Sequence, residues 1–152
     1  MIKQFNSKKE IFAYILTFSK LNSDLVLIRG STAKGSIKKF SDFDVEIYGK
    51  EEKLPHYELC LFKSKLILIT IYFRKNILGN KVEAPKEMKV IKGVYTDKVQ
   101  EIFDMNWNKK ENLSNEQKIN RECQLTIDFL FKYLRSGSKK HLELVQERLK
   151  IK

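Results

Sequence analysis

The pattern that most constrains the fold is a strict alternation of acidic and apolar side chains over residues 42–48. Asp42, Asp44 and Glu46 occupy every second position, and apolar side chains occupy the positions between them. A period of two excludes an α-helix and predicts a half-buried β-strand. The chain is therefore expected to fold around a sheet that presents carboxylates on one face.

Further strands are predicted on both sides of this one. The apolar run 25–28 is typical of a strand buried on both faces. Residues 30–40, with two glycines and three lysines, predict a loop containing at most one helical turn. Strands at 57–62 and 66–73 are close enough to form a hairpin, although no Asn-Gly turn joins them. Residues 88–95 fit either a strand or the start of a helix.

Capping boxes and helical spacing predict helices at both ends of the chain. Ser7 with Glu10 indicates a helix over 8–21, and Ser114 with Gln117 opens the clearest helix, which ends near Gly137. Shorter helices are expected over 96–103 and 139–149. The predicted class is α+β: a small mixed β-sheet with helices packed on it over residues 1–95, and a helical C-terminal extension packed on that core over residues 96–152.

Composition favours one compact unit, since 42% of the 152 residues are hydrophobic. The net charge of +11 divides as +4, +4 and +3 over residues 1–50, 51–100 and 101–152, which indicates a diffuse basic surface rather than a nucleic-acid groove. No run approaches the roughly 20 apolar residues of a membrane span. Cys60 and Cys123 lie apart in apolar contexts, so we expect two buried thiols in a cytoplasmic protein.

The acidic strand and the loop before it suggest a site for metal and phosphate. Asp42 and Asp44 repel each other unless a cation lies between them, and Mg²⁺ prefers such oxygen ligands together with water and phosphate. The loop offers backbone N–H groups, hydroxyls and a positive charge to an anion. Its candidate phosphate-binding residues are Gly30, Ser31, Thr32, Lys34 and Gly35.

The spacing of the two parts is more specific than either part alone. A Gly-Ser turn is usually only a loop, and two aspartates on a strand are usually only solvated. Here ten residues separate Gly30-Ser31 from Asp42-Phe43-Asp44, and Ser41 precedes the first aspartate. This arrangement resembles the GSxARGxxxxxSDxD pattern of the DNA polymerase beta-like nucleotidyltransferase superfamily, in the style of the minimal and aminoglycoside nucleotidyltransferases. Lys34 stands where that pattern has arginine.

The resemblance implies a nucleotidyltransferase fold and a Mg²⁺-dependent reaction. A nucleoside monophosphate would pass from a nucleoside triphosphate, foremost ATP, to a hydroxyl on a protein, a small molecule or an RNA end. Asp42 and Asp44 would be the catalytic residues and would hold two Mg²⁺ ions. Ser31, Ser41 and the rest of the glycine-containing loop would bind the nucleotide and its phosphates.

One feature of the family pattern is missing from this chain. The family has a third carboxylate on a later strand, whereas residues 66–73 contain no acid and Thr70 falls nearest the expected position. Glu46 and Glu58 are the candidate substitutes. Alternatively the acid is absent, and the protein is a weak or inactive, antitoxin-like binding module, or a basic RNA-binding protein that reuses the fold.

The long C-terminal helix has two apolar sides. One stripe includes Ile119, Leu130 and Leu134, and a second side includes Phe129 and Tyr133. The pattern fits packing on the chain's own sheet and fits, equally well, a homodimer or a helical protein partner.

Overall fold

The computed structural model describes residues 1–19, 25–75, 79–108 and 114–150, and describes only the backbone at 103–108. The described residues form six strands and five helices. The strands are β1 (Lys3–Phe5), β2 (Leu25–Arg29), β3 (Asp42–Gly49), β4 (Lys53–Phe62), β5 (Lys65–Lys75) and β6 (Met88–Gly93). The helices are α1 (Lys8–Thr17), α2 (Ser31–Lys34), α3 (Asp97–Asn108), α4 (Asn115–Ser136) and α5 (Lys139–Leu149).

The strands form one mixed sheet in the order β1-β4-β5-β3-β2-β6. Strand β3 runs parallel to β5 and β1 runs parallel to β4, while the other neighbours are antiparallel. The α+β class with a mixed sheet is therefore confirmed. Strand β3, which carries the acidic alternation, lies inside the sheet between β5 and β2.

The structure differs from the sequence prediction mainly at short elements and at element ends. Strand β1 has only three residues and was not predicted, and β6 decides the ambiguous segment in favour of a strand. Helix α1 ends at Thr17, before the predicted end at residue 21, which lies outside the described residues. Lys63 and Ser64 close the β4–β5 hairpin with φ angles of 45° and 65°, so two left-handed residues replace the expected Asn-Gly.

The two faces of the sheet have different chemistry. One face packs under α1, where Ile11 and Ile15 meet the apolar side chains of β3, including Phe43 and Val45. The opposite face carries Asp42, Asp44 and Glu46, because successive side chains of a strand alternate between faces. Beyond these acids, toward β2 and β6, the same face becomes apolar and packs against α3. The acids therefore lie beside, and not within, the two hydrophobic clusters.

Helices α4 and α5 pack together, and their apolar surface is only partly covered. Within the described residues, Ile119, Leu130 and Leu134 remain 66%, 38% and 40% exposed, so the predicted stripe of α4 does not pack on the sheet. Cys60 is buried as predicted, but the prediction for Cys123 is wrong, since its side chain is exposed on α4. No described helix has the length and apolar character needed to cross a membrane.

The loop before β3 is fixed by specific contacts. Thr32 donates from Oγ1 to the carbonyl of Asp42 at 2.9 Å, and Ser41 Oγ accepts from the N–H of Lys38 at 2.9 Å. Gly30 has φ 78°, in the left-handed region that favours glycine. A Cβ at Gly35 would lie 2.5 Å from the carbonyl oxygen of Ser31. The loop conformation therefore depends on both glycines.

We predict that Gly35→Ala destabilises the protein, because the new methyl group would collide with backbone that cannot move freely. The expected loss in the free energy of unfolding is about 1–3 kcal/mol, measured by urea denaturation. The exposed neighbour Ser36 supplies the control, since Ser36→Ala should change stability by no more than about 0.5 kcal/mol. Equal stability of the two variants would contradict the steric argument.

Candidate active site

A row of polar side chains crosses the sheet through Asp44. In the strand register, Asp44 lies opposite Thr70 of β5 on one side and opposite Arg29 of β2 on the other. Tyr57 of β4 lies opposite Thr70. Residues directly opposite one another in neighbouring strands project from the same face. The row therefore brings a carboxylate, a guanidinium and two hydroxyl side chains together beside Asp42.

The three acids of β3 have different partners. Glu46 is buried and forms ion pairs with Arg29 Nη2 at 2.9 Å and Arg74 Nε at 3.7 Å. It also accepts a 2.7 Å hydrogen bond from the hydroxyl of Tyr48. This carboxylate is neutralised within the sheet. The structure thus brings Glu46 onto the same face as Asp44 but commits its oxygens to structural contacts.

Asp42 is paired by the C-terminal part of the chain. Arg135 of α4 donates from Nη1 to Asp42 Oδ1 at 2.7 Å and to the carbonyl of Phe40 at 3.1 Å. Both charged side chains are partly exposed. The guanidinium thus places a positive charge on the carboxylate that the sequence motif assigns to a cation.

Asp44 and Asp128, a residue of α4, have pKa values well above the ordinary range for aspartate. Burial is the main cause at Asp44, and the negative charges of Asp42 and Asp128 add to it, so that its pKa rises to about 6. Burial and the charge of Asp42 also raise the pKa of Asp128 to about 6. Such mutual effects require proximity. Asp42, Asp44 and Asp128 therefore form one electrostatic cluster.

The residues of the glycine-containing loop fall into two groups. Ser31, Lys34 and Gly35 are exposed, so they remain accessible to a ligand. Thr32 and Ser41 are buried, and each hydroxyl is occupied by the backbone contact already described. The first group could contact phosphate directly, whereas the second group shapes the loop.

Glu58 lies on the other face of the sheet. It is opposite Ile69 in the register, whereas its neighbour Tyr57 is opposite Thr70. Its carboxylate accepts hydrogen bonds from Lys3 and Tyr14, and its Oε2 lies 3.2 Å from His56 Nε2. Burial raises its pKa, but these hydrogen bonds outweigh burial and lower the pKa to about 2. The structure does not bring Glu58 to Asp42 and Asp44.

Sequence reasoning missed the contribution of α4. Gln124 donates to the hydroxyl of Tyr72 on β5, Phe131 is buried against Phe40, and Arg135 binds Asp42. Asp128 belongs to the same side of the helix. The signal was a row at helical spacing over 124, 128, 131 and 135, in which three polar side chains accompany Phe131, on a side of the helix other than the apolar stripe that the hydrophobic pattern emphasises.

The donor set at Asp42 and Asp44 suits a hard divalent cation. Two carboxylates on one face supply the oxygen ligands that Mg²⁺ prefers, and water or phosphate oxygens complete such a shell. Beside them the hydroxyl of Thr70 is buried without a hydrogen-bond partner. Among the described residues, no group of three or more His, Cys, Asp or Glu side chains converges closely enough to hold a metal ion. The fit therefore rests on the aspartate pair.

The comparisons with known proteins point to one family. A family model described as a nucleotidyltransferase domain matches residues 9–135. The matched segment contains the glycine loop, both aspartates of β3, and Asp128 and Arg135 of α4. No curated protein sequence is similar enough to the chain to count as a match.

We predict that ionisation of the aspartate cluster destabilises the metal-free protein. The native pKa values of Asp44 and Asp128 are about 6, against about 4 in an unfolded chain. Between these values the native state binds more protons than the unfolded state, so stability falls as pH rises from about 4 through about 6. Asp44→Asn removes one of the two titrating groups, so this variant should lose less stability than the parent protein between about pH 4 and about pH 6.

The measurement is chemical denaturation in EDTA at several pH values between 4 and 7.5. Glu143→Gln, at an exposed position of α5, is the matched control and should follow the parent protein. If Asp44→Asn and the parent protein showed the same pH slope, Asp44 would not have the raised pKa.

Proposed function

The chain belongs to the nucleotidyltransferase domain family, and from this premise we propose that it transfers a nucleoside monophosphate from a nucleoside triphosphate to a hydroxyl acceptor. The observation that carries the proposal is the position of Asp42 and Asp44 on one sheet face, next to the loop that begins at Gly30. Arg29, which immediately precedes that loop, is opposite Asp44 in the register. Thr32 joins the loop to the backbone of Asp42 at 2.9 Å.

The loop and the aspartates would bind different parts of the donor. Ser31, Lys34 and the accessible backbone near Gly35 would contact the phosphates, with ATP as the foremost donor. Asp42 and Asp44 would hold Mg²⁺, which supplies positive charge to the phosphates and to the leaving pyrophosphate when bound. Two ions are expected from the resemblance to the family. Arg135 would then share Asp42 with a cation or move from it.

Thr32 and Ser41 support the site indirectly in this proposal. Their hydroxyls hold the loop against β3, so they position the donors rather than contact the nucleotide. Placement of this kind contributes to catalysis because reacting groups held in line react faster than freely diffusing ones. The acceptor hydroxyl belongs to a protein side chain, a small molecule or an RNA end. The assay therefore has to offer and detect all three kinds of acceptor.

We predict that the purified protein transfers label from nucleoside triphosphates labelled at the α-phosphate, when incubated with Mg²⁺ and cell extract. Label at the γ-phosphate should appear only in pyrophosphate. Asp44→Asn should reduce transfer about 100-fold or more, because it removes a carboxylate that would hold the positively charged Mg²⁺ against the phosphates in the transition state. Glu143→Gln should transfer at the parental rate.

Two results would contradict the proposal. Transfer of the γ-label to an acceptor would indicate a phosphotransferase instead. Absence of transfer with all four nucleotides, from protein with a cooperative unfolding transition, would favour the binding-module alternative. Protease and nuclease treatment of the labelled product then separates protein, RNA and small-molecule acceptors.

A further inference from the structure

Helix α4 is attached at two places to the side of the sheet that carries Asp42 and Asp44. Near the middle of the helix, Gln124 donates to the hydroxyl of Tyr72. Toward its C-terminus, Arg135 binds Asp42 Oδ1 at 2.7 Å, and Phe131 lies edge-on to Phe40 with ring centroids 6.0 Å apart. The helix therefore crosses the site in a defined orientation.

Asp128 lies between these attachments on the same side of the helix. Positions 124, 128, 131 and 135 are separated by four, three and four residues, which places them in one row at 3.6 residues per turn. Because Gln124 and Phe131 both contact the sheet side, Asp128 must face it too. The electrostatic effects that join Asp128 to Asp42 and Asp44 agree with this orientation.

Asp128 is available where the other candidate acids are not. In the part of the chain that the structure describes, neither a hydrogen bond nor an ion pair occupies its carboxylate. Glu46, by contrast, is paired with two arginines, and Glu58 lies on the other face with its own donors. Asp128 is therefore the uncommitted carboxylate facing the aspartate pair from outside β3.

Two hydroxyls without hydrogen-bond partners lie on the sheet face that α4 covers. Thr70 is fully buried opposite Asp44, and its Oγ1 has no hydrogen-bond partner. The hydroxyl of Tyr57, opposite Thr70, is also buried without a partner, and Tyr57 interacts electrostatically with Asp128. Buried hydroxyls normally have partners, because leaving one unpaired is costly.

We infer that Asp128 is the proton acceptor for the attacking hydroxyl, replacing from helix α4 the carboxylate that is absent from strand β5. The inference rests on the proposed function. In this step the acceptor oxygen forms a bond to the α-phosphorus, and its proton passes to the Asp128 carboxylate. The bond from the α-phosphorus to the bridging oxygen breaks, pyrophosphate leaves with that electron pair, and Asp128 later releases the proton to water.

The test replaces Asp128 by alanine in the full chain and measures transfer and nucleotide binding separately. Asp128→Ala should lower kcat about 100-fold or more, the usual scale of general base catalysis. Its affinity for the non-transferable donor α,β-methylene ATP with Mg²⁺, measured by calorimetry, should stay within about twofold of the parent. Added formate should restore part of kcat, since a small carboxylate can enter the space that alanine leaves. Glu116→Gln, at an exposed position of the same helix, should change neither quantity.

Each outcome decides the inference. If the parent protein transfers label, the proposed function stands. The inference about Asp128 would then be overturned by a parental kcat in Asp128→Ala, or by a loss of kcat together with a loss of nucleotide binding. A parent protein that transfers no label would remove the proposed function and the inference together. If Asp128→Ala does not fold, the near-isosteric Asp128→Asn should show the same loss of kcat and Asp128→Glu should retain part of it; equal rates in these two would overturn the inference.

Discussion

The placement of three carboxylates on one face of strand β3, one of them buried and two partly buried, is the constraint on which the arrangement of the other elements depends. Glu46 is neutralised by Arg29 of β2 and Arg74 of β5, the two strands that flank β3. Asp42 is neutralised by Arg135 of α4. At buried Glu46, removing an ion-pair partner costs about 3–5 kcal/mol, because the remaining charge stays buried. The Asp42–Arg135 pair is partly exposed and contributes less. The order of the strands and the docking of α4 therefore both depend on pairing the three acidic side chains of β3.

Among the three acids of β3, Asp44 has the least compensation of its negative charge by positive side chains. It lies between Asp42 and Glu46, and burial together with the neighbouring acids raises its pKa to about 6, although Arg29 opposes the shift. Stability alone does not favour a partly buried carboxylate with little charge compensation beside the buried, unpaired hydroxyl of Thr70. Such local conflicts are typical of functional sites. The same conflict is what a bound cation and polar ligand would relieve.

The sequence predicted what depends on local periodicity and capping, and failed where long-range register decides. The acidic alternation identified β3 and the shared face of Asp42 and Asp44, and the Ser114–Gln117 capping box located the start of α4. The orientation of Glu58 depends on the hairpin register. A two-residue turn that pairs Phe62 with Lys65 sets Tyr57, and not Glu58, on the face of Asp44. Asp128 was missed because hydrophobic periodicity emphasises the apolar side of α4, whereas the side that meets the site is mostly polar.

A carboxylate on a helix is held in position by different contacts from a carboxylate on a strand. Backbone hydrogen bonds to both neighbours would fix an acid on β5, whereas Asp128 is held by the side-chain contacts of α4 with Asp42, Phe40 and Tyr72. The contact between Arg135 and Asp42 uses a carboxylate that the proposed cation would also require. A cation there would weaken the electrostatic hold on Arg135 and leave more of the docking to Phe131 and Gln124. In the proposed enzyme, metal occupancy and the position of Asp128 would thus be coupled through Asp42, and an acid on a strand would not have this coupling.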